Sequence, residues 1–401
     1  MGKNIIFCAD GTWNGPDDQT GASVIDGDDT QGEIGNSSVT NVVKLYANLV
    51  GSVTTESLTL KNEQEKLATD AGGAAVQVAK YIHGVGDSRN PVTKLLGGAL
   101  GMGIIARIIR GYTFISRNYQ PGDRIYIVGF SRGAYTARAL GGFIAKVGLL
   151  NPATYDPSDR VLSYRLALAA WAKAKTVTLQ GAGKWSTIAN HVLGLMQDVF
   201  ALQLPANGLV PGVPIKALAV WETVGSLGIP KYDKDGRFDM FRFVDTALSP
   251  AVERGFHAMA IDERREDFPV TRWDPRQGIE EVWFVGAHAD VGGGYPQDEA
   301  RLSDAGLTWM MQKLAGAGIA FAQPLVYVPV PVAALQAIHK PWASPPFDLG
   351  GQIARTVPLT DTFHASVVEH WRADHSYAAA GAIPLTQPVV DGLRVDAAVY
   401  P

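Results

Sequence analysis

The chain has 401 residues, 46% of them hydrophobic and 18% charged, which is enough apolar material for a sizeable core and too little polarity for a disordered tail. Thirty-five basic residues stand against 39 acidic ones, a net charge of −4, so there is no broad cationic field for nucleic acid or an anionic membrane surface. The one cysteine, Cys8, excludes an internal disulfide, a cysteine-built zinc site and a CxxC redox pair, and it suits folding in a reducing cytosol.

The opening MGKNIIFCAD has too short an apolar run for a secretory signal, and Ile6 leaves Gly2 outside the myristoylation context. The expected location is therefore the cytoplasm of the producing cell. Lys3–Ala9 reads as a buried strand ended by the turn formers Asp10-Gly11, residues 18–38 as a polar surface loop, and Asn41–Val50 as a helix. The charged run Lys61–Asp70 has no clear period. Val76–His83 is a second strand, and the longest uncharged apolar window, Leu95–Ala106, is well short of the roughly 20 residues that cross a bilayer. A helix over Arg107–Tyr119, the turn Pro121-Gly122-Asp123, a strand over Arg124–Val128 and a helix over Ala134–Val147 follow.

Residues 150–212 read as mainly helical, including an amphipathic stretch in which Ile188, Val192, Leu195, Val199 and Leu202 share a face. Strands then fall at Lys216–Trp221 and Glu281–Val285, and beyond Gln323 the chain is rich in Pro and Val, with a short helix near Thr362–Arg372. The alternation of strands and helices predicts one layered α/β domain over 1–401, interrupted by a helical cap at 150–212.

Gly129-Phe130-Ser131-Arg132-Gly133 fits the nucleophile-elbow pattern GxSxG, between an apolar strand and a helix as that turn requires. Small residues two before and two after Ser131 let the turn close, and the Arg132 amide then points to where negative charge develops. Of eight histidines, His288 follows a strand in a Gly-rich loop, and His364 is its competitor as general base. Glu222, directly after the strand ending at Trp221, fits the chain order nucleophile, acid, base; Asp290 is the alternative acid. Gly11 or Thr12 amides are candidates for the second oxyanion donor, although Asp-Gly is also a plain turn signal. Gly101-Met102-Gly103-Ile104-Ile105-Ala106 spells GxGxxA without the strand a dinucleotide site needs, and Asp290 with glycines 292–294 reads as a tight turn ahead of a cation site.

With these residues in view, the chain resembles the α/β-hydrolase-like family, long labelled a domain of unknown function, that includes phospholipase effectors of bacterial type VI secretion. The matching stretches are FCADGTWN at 7–14, TNVVKLY at 40–46, YIHGVGD at 81–87, PGDRIYIVGFSRGAYTARALGGFI at 121–144, VWETVGSLG at 220–228, HAMAIDERREDFPVTRW at 257–273 and VWFVGAHADVGGGY at 282–295. The resemblance implies a three-layer sandwich with a mainly parallel central sheet. It also implies Ser131 as nucleophile, His288 as base, and Glu222 at the position where the family usually has Asp as the acid. It implies an ester hydrolase without cofactor, acting on phospholipid or another acyl ester through peripheral membrane contact, with a secretion spike and an immunity protein as partners and no nucleic acid. Two other readings stay open at this point: a soluble esterase or thioesterase on small acyl substrates, and a catalytically silent binding module.

Overall fold

The computed structural model describes residues 2–11, 38–59, 63–83, 99–179, 203–224, 247–296, 298–299, 301–330, 336–345, 347–348, 350–377 and 385–397. Thr12, the expected loop over 18–37, Gly84–Gly86 and the amphipathic stretch Ile188–Leu202 lie outside these residues. Twelve strands are described: β1 (Asn4–Ala9), β2 (Ser52–Val53), β3 (Glu63–Thr69), β4 (Ala75–Ile82), β5 (Arg124–Phe130), β6 (Leu149–Leu150), β7 (Leu209–Val210), β8 (Ile215–Trp221), β9 (Val252–Ala260), β10 (Ile279–Phe284), β11 (Thr362–His364) and β12 (Arg394–Asp396). Ten of them form one sheet in the order β12-β11-β10-β9-β8-β5-β1-β4-β3-β2. It is parallel from β12 to β4, and β3 and β2 close one edge antiparallel.

β1 is central because both of its faces are apolar. Ile5, Phe7 and Ala9 join one hydrophobic cluster while Ile6 and Cys8 join the other, as expected for a parallel strand covered on both sides. On the first face lie α2 (Ala99–Asn118), α3 (Arg132–Val147) and α4 (Arg160–Leu179). Tyr112 of α2 meets Phe143 of α3 at 4.2 Å between ring centroids, and Trp171 of α4 meets Phe143 edge-on at 5.1 Å. On the other face lie α1 (Asn41–Asn48) and α6 (Arg301–Gly316). The short helices α5 (His288–Gly292), α7 (Ala365–Ala373) and α8 (Gln387–Asp391) complete the set. This is the α/β-hydrolase-like three-layer architecture.

From β1 the chain crosses to β4 on one side and then to β5 on the other, so the strand order reverses at β1. The crevice beyond the C-terminal ends of β1 and β5 is where an open α/β sheet leaves room for a ligand. Asp10 and Ser131 stand at those two ends. α1 is tied to α5 and to the start of α6: Asn41 Nδ2 donates to Val291 O at 3.0 Å and to Ser303 O at 2.7 Å.

Several elements differ from the sequence expectation. The charged run at 61–70 is the strand β3, whose Glu63 and Glu65 flank Lys80 of β4 across the strand pair. α2 starts at Ala99 rather than Arg107, and it contains the GxGxxA residues in a helix. β9 shows no sequence period because the exposed Glu253-Arg254 interrupts it before six buried residues, Gly255–Ala260. The segment expected to be one helix from Thr362 divides into β11 and α7 at His364. Within 150–212, the described helix α4 packs on the core through Leu166, Ala167, Ala170 and Trp171, and β6 pairs antiparallel with β7 where the chain leaves and re-enters the layer.

One buried ion pair joins α1 to α6. Lys44 Nζ meets Asp304 Oδ1 at 3.0 Å, and Asp304 also accepts from Tyr327 Oη and the Val330 amide. Asp304→Asn leaves a buried ammonium without its counter-charge, so it is expected to lower stability by about 3–5 kcal/mol. Urea unfolding of the two proteins checks this, and a loss below about 1 kcal/mol would show that the pair is not a tie between the helices.

Candidate active site

Ser131 sits between β5 and α3 with φ 56° and ψ −120°, a strained conformation for a residue with a Cβ. The strain is imposed from three sides. A methyl group on Gly129 would drive into the Gly133 carbonyl, and one on Gly133 would drive into the Ala9 carbonyl at the end of β1. The Ser131 amide donates to Trp221 O of β8 at 3.1 Å. Only with glycine at both positions can the helix start this close to the sheet.

Among the described residues only Ser131, Asn207 and Glu222 have positive φ without being glycine. Glu222, at φ 47°, directly follows β8 and is fully buried. Its Oε2 lies 3.0 Å from His288 Nδ1. Its Oε1 accepts from the Ala260 amide at 2.6 Å, and Arg355 closes both oxygens, with Nη1 and Nη2 each at 2.9 Å. Burial alone would raise this carboxyl, but the Arg355 guanidinium and the His288 hydrogen bond outweigh it and hold Glu222 well below the usual carboxylate range. The acid is therefore ionised at neutral pH.

His288 opens α5 and is 6% exposed. Its imidazole lies against Phe130, 4.7 Å between centroids, and edge-on to Phe268 at 5.1 Å. Burial depresses its pKa below 6.5 more than the Glu222 carboxylate raises it, so the ring is neutral at pH 7. With Nδ1–H directed to Glu222, Nε2 is left as the basic nitrogen. The backbone of this loop is held by acids that follow β9: the His288 amide donates to Glu263 Oε2 at 3.2 Å, and the Gly286 amide to Asp262 Oδ2 at 2.7 Å. Glu263 is itself chelated by Arg265. Arg265 in turn lies 3.5 Å over the Phe268 ring, whose edge-on neighbour Phe347 is 39% exposed. Phe268 and Phe347 make an apolar edge from His288 to the surface.

The other candidate residues have different partners. Asp290 Oδ1 meets His339 Nδ1 at 2.6 Å, and its Oδ2 accepts from the Ala287 and His339 amides; it caps α5 and clasps residue 339, away from His288. His364 Nδ1 accepts from the Ser366 amide at the start of α7, and its ring stacks on Phe284. A methyl group on Gly11 would meet Ser131 Cβ at 3.4 Å, but the Gly11 N–H donates to Asp10 Oδ1 at 2.6 Å, so this amide is turned to a neighbouring carboxylate and not to the crevice. Arg132 is the first residue of α3. Thr12 lies outside the described residues. Asp10 also accepts from Thr40 and Tyr81, and burial raises its pKa to about 6 in spite of those bonds.

Sequence reasoning missed Arg355 and His257. His257 Nε2 accepts from the Thr223 amide at 3.3 Å, next to Glu222, while its Nδ1 faces Glu281 Oε1 at 3.0 Å. Burial would raise the Glu281 carboxyl, but His257, the Trp273 amide and Arg272 hold it at about 2. A second buried histidine and carboxylate thus brace the turn that presents Glu222.

Arg355→Met strips the guanidinium from a fully buried carboxylate and is expected to destabilise the protein by about 3–5 kcal/mol. Without that positive charge the His288 imidazolium is better stabilised, so the His288 pKa should rise. Proton NMR titration of the imidazole in both proteins reads this directly. A fall, or no change, would show that Arg355 does not act on His288 through Glu222.

Comparison with known proteins bears on the same residues. Residues 3–313 match the family model described as the T6SS phospholipase effector Tle1-like catalytic domain. The uncharacterized protein YEL023C of Saccharomyces cerevisiae is 25% identical over 285 residues, covering 71% of this chain and 34% of that protein. Among solved structures, an uncharacterized protein from Pseudomonas aeruginosa aligns at 18% identity over 82% of this chain and 48% of its own, with a TM-score of 0.43. The Tle1 effector bound to the VgrG spike of the type 6 secretion system aligns at 18% identity over 74% of this chain and 51% of its own, with a TM-score of 0.38. The chain thus spans about a third of the yeast relative and about half of each of these structures. With the family model covering the strands, elbow and loops that carry Ser131, Glu222 and His288, this chain belongs to the Tle1-like phospholipase effector catalytic domain family.

Proposed function

We propose that this protein is a serine-dependent phospholipase that hydrolyses acyl ester bonds, with Ser131 as nucleophile, His288 as general base and Glu222 as the acid that orients it. The observation that carries the reading is the buried His288 Nδ1 to Glu222 Oε2 contact of 3.0 Å, at the same sheet edge as a serine on a strained elbow. In this mechanism His288 Nε2 takes the Ser131 hydroxyl proton as Oγ attacks the ester carbonyl, and the Arg132 amide receives charge on the carbonyl oxygen. Collapse of the tetrahedral intermediate expels the glycerol oxygen, which takes the proton from His288; water then hydrolyses the acyl enzyme by the same route. Glu222 supports the transient imidazolium, and its extra methylene relative to Asp is accommodated by the Arg355 fork. The apolar edge of Phe268 and Phe347 suits the acyl chain, and residues 150–212 would supply the cap.

No helix among the described residues is long and apolar enough to cross a membrane, so the reading places lipid contact at the surface. As a secreted effector, the chain would pair with a spike protein on export and be neutralised by an immunity protein.

The test is fatty-acid release from mixed phospholipid vesicles. Ser131→Ala should lose about 10³-fold or more, and Glu222→Gln about 10²–10⁴-fold. Equal rates for wild type and Ser131→Ala would remove the serine mechanism. The rate should rise with pH through a single ionisation below 6.5, because the base is His288 with a depressed pKa. An acid limb centred above 6.5 would point to another base.

A further inference from the structure

His339 has no part in the ester chemistry and lies beyond residue 313, where the family match ends, yet it is bound to the helix that carries the general base. α5 has five residues, too few for a helix to hold itself in place. His288 is its first residue, and its N-terminal turn is closed by Asp290, whose Oδ2 accepts from the Ala287 amide at 2.9 Å. Asp290 also packs on Gly286, where a methyl group would come within 2.4 Å of the Asp290 Cβ. The Asp290 side chain thus touches both residues that lead into His288, and it cannot shift without moving them.

Asp290 is 1% exposed, so its carboxylate must be paired. His339 meets it twice: the ring Nδ1 lies 2.6 Å from Oδ1, and the His339 amide donates to Oδ2 at 3.1 Å. The other ring nitrogen, Nε2, lies 3.3 Å from Glu299 Oε2, and Tyr295 stacks on the ring at 3.6 Å between centroids. A carboxylate only accepts hydrogen bonds, so an imidazole with a carboxylate at each nitrogen satisfies both only as the doubly protonated cation. The ionisable groups around the ring are Asp290 from α5, Tyr295 and Glu299 from the loop that follows it, and Glu263 and Arg265 from the loop after β9, whose charges reach Tyr295. Lys340 is exposed beside it in the chain. Three residues on, Trp342 is buried with the Arg264 guanidinium 5.4 Å over its ring. The stretch around His339 is therefore anchored on the same loop that holds the His288 amide through Glu263.

We propose that His339 is a positioning residue for the general base: as an imidazolium it fixes Asp290, and through Asp290 the first turn of α5, so that the His288 ring stays aligned on Glu222. Its catalytic effect rests on the serine phospholipase reading. A base displaced by a fraction of an ångström loses its line to the proton it must take, so a clasp that touches neither substrate nor nucleophile still sets the rate. The Asp290 hydrogen bond outweighs burial and raises the His339 pKa above 6.5. The clasp is complete below 6.5 and is lost as pH rises through that raised pKa, which adds a falling limb on the alkaline side of the pH–rate profile.

The experiment uses the full chain and follows fatty-acid release from mixed phospholipid vesicles across pH, with urea unfolding of each variant to show that it is folded. His339→Ala should lower kcat about tenfold and leave KM within about twofold. His339→Asn keeps a donor toward Asp290 but carries no charge and cannot reach Glu299; its rate should match the alkaline plateau of the wild type, about threefold below the maximum, and show no alkaline limb. An unchanged kcat in His339→Ala overturns the proposal, as does an alkaline limb that survives in His339→Asn. A loss in His339→Ala that lies in KM alone overturns it as well. A second readout needs no turnover: exchange of the His288 Nδ1 proton with water, followed by NMR of protein with isotope-labelled imidazole rings, should quicken about tenfold in His339→Ala. If no form releases fatty acid but this exchange depends on residue 339, the phospholipase reading falls and the positioning role stands. If the wild type releases fatty acid, Ser131→Ala does not, and neither kcat nor exchange responds to residue 339, the reading stands and the positioning role falls.

Discussion

A carboxylate with no access to water must be satisfied by the protein, and the architecture around Glu222 follows from that requirement. Four donors converge on it from β9, α5 and residue 355, none of them close in sequence. Ionised carboxylates are buried only when hydrogen-bonded and paired, so the ends of β8 and β9, the loop before α5 and the segment beyond β10 must all arrive together. The same convergence fixes the imidazole: a ring with one nitrogen directed at a fixed anion and two aromatic rings against it has one orientation and one tautomer.

Around this centre the support is layered. His257 and Glu281 brace the Thr223 amide, and Asp262 and Glu263 hold the amides of Gly286 and His288. Tyr377 reaches Asp262 at 2.8 Å, so the far C-terminal part of the chain takes part in the same network. Each member receives its hydrogen bonds from backbone as well as side chain, which is how a polar network stays rigid in a medium of low dielectric constant. The strain at Ser131 and at Glu222 persists because this surround leaves neither residue another conformation.

How much of this was legible in the sequence depends on the range over which each signal acts. The elbow is local: two glycines, a serine, an apolar strand before and a helix after are contiguous, and they placed Ser131 correctly on the turn. The strands at 4–9, 75–82, 124–130, 215–221 and 279–284 were legible because their apolar runs are short and bounded by turn formers. Chain order paired Glu222 with His288 and left Asp290 and His364 as alternatives; proximity in three dimensions separated them, since Asp290 caps its own helix and His364 caps another. Arg355 was not legible, because it lies 133 positions from Glu222 in a Pro- and Gly-rich segment with no period. The one available clue was the buried acid itself, which implied a cation without saying where. β9 failed for the opposite reason: its charged start masks a buried second half.

The origin of Arg355 has a consequence for where this unit ends. The family match closes at residue 313, yet the guanidinium that neutralises Glu222, the strands β11 and β12 that extend the sheet, and Trp371 and Phe363 that cover Trp283 all come later. A fragment cut at the homology boundary would keep every residue of the proposed triad and lose the charge that makes its acid tolerable in the interior. The boundary set by sequence similarity and the boundary of the packed sheet and core are therefore different, and the stretch after 313 is a structural component of this domain rather than an appendage to it.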